Sequence, residues 1–171
     1  MKAHKLENEL KKLYKSLPFL WKDYGFHLTY LASGCDGHPH ETMMGLASNA
    51  CKLLFELENC SSLEGVHCRV GTRSAWFSTP GYQYSPLYGW YPFAGLLVWL
   101  EGSPYKANEN TEIDLEALSQ ALRLHMDELL ELVKEPKKVE EKLAQSRNTH
   151  GNQDRVEDIQ NNRITPHGGT Q

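Results

Sequence analysis

Long apolar runs are missing from this chain. The longest, FAGLLVWL from Phe93 to Leu100, falls far short of the roughly 20 residues a membrane span needs, so no membrane association is expected. The first residues, MKAHKLENELKKLYKSLPFLWKDYGF, carry lysines but no apolar core of signal-peptide length, because Pro18 and Lys22 bracket only PFLW. A cytoplasmic protein is expected. Excess positive charge is missing too: 18 Lys and Arg stand against 22 Asp and Glu, a net charge of -4, so nucleic acid is not an expected partner. Four cysteines, Cys35, Cys51, Cys60 and Cys68, are enough for two disulfides, but without a secretory signal they stay reduced. Internal repeats, a glycine-rich phosphate loop and a serine-centred elbow are absent as well, and no cofactor is expected.

What is present fits one domain. A chain of 171 residues with 40% hydrophobic and 23% charged content buries a real core without staples. Beyond Ser146 only Val156, Ile159 and Ile164 are sizeable apolar residues and no aromatic remains, too little to order that segment. The expected organisation is a single α+β domain over residues 1–145 and a disordered polar tail over 146–171.

Leu6, Leu10, Leu13, Tyr14 and Leu17 recur at helical spacing with lysines opposite, until Pro18 stops the pattern. From Gly25 the period changes to two: Phe26, Leu28, Tyr30 and Ala32 share one side of a strand, and His27, Thr29, Leu31 and Ser33 the other. Residues 41–58 read either as one helix or as a hairpin. The helix would hold Gly45, Ser48 and Asn49 in its interior. The hairpin turns near Ser48 and Asn49 and lets Cys51, Leu53, Phe55 and Leu57 alternate with Lys52, Leu54, Glu56 and Glu58, and is preferred. Val66, Cys68, Val70 and Thr72 make a fourth strand opposite His67, Arg69, Gly71 and Arg73. The four strands form an antiparallel meander with one face to cover.

Phe93, Leu96, Leu97 and Leu100 predict a short second helix after Pro92. Thr111 is the expected N-cap of a third, with Asp114 at N3; its stripe is Leu115, Leu118, Leu122, Met126, Leu129 and Val133, ending before Pro136. The segment KKVEEKLAQSR adds up to two more helical turns. The fold expected is therefore an N-terminal helix and a four-stranded antiparallel meander covered by two C-terminal helices.

Chemistry concentrates in two places. GCDGHPHE, Gly34 to Glu41, links the first two strands, and Asp36-Gly37 is a standard turn pair. Cys35, His38 and His40 have the right atoms to hold zinc, with His67 or Cys68 to complete the set, or to act as thiolate and base. Cys-x2-His-x-His matches no familiar zinc spacing, however, and all three sit on one connection rather than on separate rigid elements. A polar turn is the preferred reading, and a metal- or thiol-dependent enzyme the alternative. Cys51, Cys68 and His125 read as core residues.

The second place is aromatic. Trp76, Phe77, Tyr82, Tyr84, Tyr88, Trp90, Tyr91 and Phe93 crowd into 18 residues. Such rings dominate protein contact surfaces. Trp76 and Phe93 are expected in the core, while Tyr82, Tyr84, Tyr88 and Trp90 are the expected binding residues. Arg69 and Arg73 alone supply too little charge for base stacking in an electrostatic groove. Asp127, Glu128 and Glu131, on a third helix with few balancing cations, add an acidic surface that steers a basic partner.

The order and length of the elements over residues 3 to 135 resemble the small bacterial immunity proteins that neutralise toxin domains. The resemblance implies a non-catalytic protein that occludes a protein partner through an acidic or aromatic surface.

Overall fold

Pro18 ends one helix and begins the next. Lacking an N–H, it cannot extend α1 (Lys2–Ser16), but at the first position of α2 (Pro18–Lys22) no N–H is required. The computed structural model describes residues 2–35, 38–57, 66–77, 86–101 and 113–144. Among these, five antiparallel strands follow: β1 (His27–Cys35), β2 (His38–Ala47), β3 (Cys51–Leu57), β4 (Val66–Thr72) and β5 (Trp90–Pro92), lying side by side in chain order. α3 (Phe93–Glu101), α4 (Leu115–Leu132) and a further helix, α5, over residues 136–144 complete the described elements. The α+β class and the meander are as expected, with a fifth strand and more helices than the sequence pattern showed. No described helix is long and apolar enough to cross a membrane. The boundary expected at residue 146 lies outside the described residues.

Residues 41–57 fold as the hairpin, not the helix; Glu58 lies outside the described residues. Thr42 pairs with Leu57 and Ala47 with Lys52, and Ser48 closes the turn. Its Oγ accepts from the amides of Ala50 and Cys51, each at 3.2 Å, and donates to the Cys51 carbonyl at 3.1 Å.

The helices pack on one face of the sheet. Leu46, Leu53, Phe55 and Val70 meet Leu13, Leu17, Leu20, Phe93, Leu96 and the α4 stripe, and Val139 and Leu143 of α5 join the same core. Burying a side chain of this size contributes roughly 1.5–3 kcal/mol. Two long-range hydrogen bonds tie α4 to the N-terminal segment: Ser119 Oγ donates to the Ser16 carbonyl at 2.6 Å, and the Tyr24 hydroxyl, just after α2, to Asp127 Oδ1 at 2.9 Å.

Three local expectations are corrected. The register slips between Leu28 and Tyr30, a bulge at Thr29. A bulge inserts one residue and reverses the facing of those beyond it. Leu28 therefore packs on the helix-covered core, while Tyr30 and Ala32 join a second cluster. That cluster is the next correction, because the sheet is buried on both faces. Met43, Leu54, Ala75 and Trp90 form a small second core with Phe77 and Tyr30 against it. Finally, Asp114, not Thr111, caps α4, its Oδ1 accepting from the amides of Glu116 at 2.9 Å and Ala117 at 3.0 Å. Ile113 forms a two-bond bridge with Val66, so the backbone just before Asp114 is extended and cannot begin a helix.

Candidate functional site

β4 stops at Thr72 because the chain turns there. The Ala75 amide donates to the Thr72 carbonyl at 3.1 Å, which breaks the alternation and sends Ala75, not Trp76, into the second core. Trp76 is left 79% exposed, and Trp90, expected at the surface, is completely buried. The two are linked, since Trp90 Nε1 donates to the Trp76 carbonyl at 3.0 Å. The buried indole thus fixes the backbone that carries the exposed one. Exposing most of a tryptophan, which offers up to about 250 Å² of contact area, forgoes on the order of 4 kcal/mol of burial at roughly 25 cal/mol per Å².

Beside Trp76 opens a cleft of about 580 Å³, set between the end of β4, the 3-10 turn Pro86–Tyr88, β5 and the start of α5. Thr72, Ser74, Trp76, Tyr88, Tyr91 and Glu140 line it. Thr72 Oγ1 and Ser74 Oγ lie 3.3 Å apart as a hydroxyl pair. Tyr88 is 53% exposed. Tyr91 is buried, and its hydroxyl has no hydrogen-bond partner. Burial first, and then the negative charge of Glu140, raise the pKa of that hydroxyl. Glu140, on the exposed side of α5, has no ion pair or hydrogen bond among the described residues. The described lining contains hydroxyls and a carboxylate.

The expected contact residues are dispersed. Tyr88 lines the cleft, Trp90 belongs to the core beneath it, and Tyr82 and Tyr84 lie outside the described residues. Asp127, Glu128 and Glu131 sit on the distant α4, each already facing an internal group. Asp127 accepts from Tyr24, Glu128 Oε1 lies 3.4 Å from His125 Nδ1, and Glu131 pairs with Lys134. Glu101 approaches the other nitrogen of buried His125, also at 3.4 Å.

The Cys/His stretch is placed by its backbone. β1 runs to Cys35, β2 starts at His38, and these two residues pair directly. Cys35, His38 and His40 are therefore strand residues, not residues of a loose connection; their side chains lie outside the described set. Completion of a zinc site from β4 fails on distance. Thr42, Leu57 and Val66 lie level across β2, β3 and β4, so β4 is about 10 Å from β2 sideways, and His38 about 13 Å further along. Cys68 is also buried, on the helix-covered face. Cys51 is buried with it, and desolvation pushes its thiol up to about 12.

Sequence reasoning placed Trp76 in the core, whereas it is exposed, and did not single out Thr72, Ser74 or Glu140 as site residues. The polar triplet Thr72-Arg73-Ser74 ahead of a small apolar Ala75 is the local sign that the strand ends before Trp76. No family model matches the chain, nor does any curated protein or solved structure.

Proposed function

We propose that this protein is a non-catalytic binding module that occludes a protein partner, in the manner of an inhibitor or immunity protein, and that its contact surface is the aromatic cleft. The observation that carries this reading is Trp76, a tryptophan held in solvent by a buried tryptophan at the mouth of a cleft. Exposed aromatic rings on rigid backbone are the hot-spot residues of protein interfaces. A cytoplasmic setting suits Cys51 and Cys68, which are free thiols inside the core.

The test places a photo-crosslinking benzoylphenylalanine at position 88 and irradiates native lysate. An adduct of one defined mass, lost when Trp76→Ala is added, is the expected result. A crosslink formed instead from position 131 on α4 would move the surface to the acidic helix and overturn the cleft. No adduct from either position would end the binding-module reading.

A further inference from the structure

The cleft has a chemistry of its own. Several carboxylates on the described surface pair with internal cations: Glu7 with Lys11, Glu9 with Lys12, Glu131 with Lys134, and Glu135 with Lys138. Glu140 has no ion pair among the described residues, and Lys137, about one turn before it on α5, is not in the cleft lining. Lys138 faces Glu135, and Lys142 sits over the Trp99 ring at 5.7 Å. The described lining thus holds a carboxylate and no cation. Tyr91 lines the same cleft, and its hydroxyl is buried and unpartnered among the described residues. A buried polar group without a partner is uncommon in folded proteins and calls for an occupant. The Thr72 and Ser74 hydroxyls add acceptors on the third side, and the Trp76 and Tyr88 rings offer broad faces at the mouth.

Resting on the reading of the cleft as a protein-contact surface, we propose that it takes the guanidinium group of an arginine presented by the partner, held by Glu140, the Tyr91 hydroxyl and the exposed Trp76 and Tyr88 rings. Each feature selects against the alternatives. A carboxylate with no competing cation selects a positive group. Aromatic faces beside it select a planar cation, because a guanidinium stacks on a ring while pairing with a carboxylate in its own plane, and an ammonium is a compact, strongly hydrated charge. The hydroxyls at the floor serve the N–H groups that the carboxylate leaves over.

The experiment uses the full chain with no partner. Acetyl-arginine-methylamide is titrated while the Trp76 indole N–H is followed by NMR, beside the lysine and citrulline analogues and methyl glucoside. The arginine probe should shift the indole saturably. Citrulline, which has nearly the same shape without the charge, should bind about tenfold more weakly or worse, and lysine should fall between. Glu140→Gln, an exposed substitution that leaves the fold intact, should weaken the arginine probe about tenfold, and Tyr91→Phe should weaken it less. An indole that does not respond to arginine overturns the proposal, as does an equal response to citrulline or a stronger one to the glucoside. In those cases a Trp76-dependent crosslink at position 88 would still uphold the contact surface, so the two readings fail separately.

Discussion

Gly71 lies under the six-membered ring of Trp90: a Cβ at position 71 would sit 2.7 Å from Trp90 Cζ3. Gly45 stands in the same relation to Phe77, at 2.5 Å from Cε1. Phe77 in turn stacks on Tyr30 with ring centroids 5.3 Å apart and 6° between planes, and meets Trp90 at 5.2 Å. The second core is therefore an aromatic layer laid flat on two bare strand positions. Gly71→Ala should destabilise by about 1–3 kcal/mol, the usual range for overpacking, measured by urea unfolding. Gly45→Ala should destabilise less, because Phe77 is half-buried and can tilt outward, whereas Trp90 is enclosed and hydrogen-bonded.

The two tryptophans should respond in opposite ways. Trp90→Ala empties a buried site and should lower stability by about 3–5 kcal/mol. Trp76→Ala removes an exposed ring and should change stability by less than about 0.5 kcal/mol. Thermal unfolding of both variants checks the pair. A large loss in Trp76→Ala would mean that the ring packs against the fold and is not free to contact a partner.

Asp114→Ala removes the N-cap of α4 and should lower stability by about 1 kcal/mol. Thr111→Ala should leave the helix unaffected. Asp114→Asn, which retains the acceptor, should recover most of the loss, and chemical denaturation of the three variants distinguishes a cap from a surface charge.

Cys51 and Cys68 bear on alkaline stability. Burial is the main cause that raises both thiols, with Cys51 reaching about 12. The folded chain keeps protons that the unfolded chain releases from about pH 8.5 upward, so stability should fall as pH rises through that point toward about 12. Urea unfolding at increasing pH should show the decline, and it should be shallower with both cysteines replaced by alanine. In the native protein at neutral pH neither thiol should react with iodoacetamide, and peptide mapping should find both labelled only after denaturation.

Much of the fold was legible because its signals are local. Cys51, Leu53, Phe55 and Leu57 recur at period two and share the helix-covered side, Ser48 marks the turn, and the Leu115-to-Val133 stripe fixes which side of α4 is buried. Where the pattern misled, a tertiary event had overridden it. The alternation Phe26, Leu28, Tyr30, Ala32 is regular in sequence, yet the bulge at Thr29 divides it between two cores. The one hint was Leu31, an apolar residue on the side read as polar. β5 spans three residues, too few to show a period. Gly95, a poor helix former inside α3, leaves room by its missing side chain for Leu143 of α5, 3.2 Å from where a Cβ would lie. The cleft was illegible for a related reason: Ser74, Tyr88 and Glu140 come from separate elements, and no local periodicity marks a site that only packing assembles.

The hydrogen bonds from Tyr24 to Asp127 and from Ser119 to Ser16 each join positions 103 residues apart. Synthesis proceeds at roughly 5–20 residues per second, so the ribosome releases the strands seconds before it finishes α4. Hairpins pair within microseconds. The nascent meander therefore has the part of the Leu46, Leu53, Phe55 and Val70 surface that α4 will cover turned to water while that helix is still unmade. Ribosome-arrested chains ending near residue 112 should bind a hydrophobic dye that the finished protein does not. Chaperone demand is thus concentrated in one interval of translation, and a codon change that lengthens it would raise aggregation while leaving the mature protein's equilibrium stability untouched.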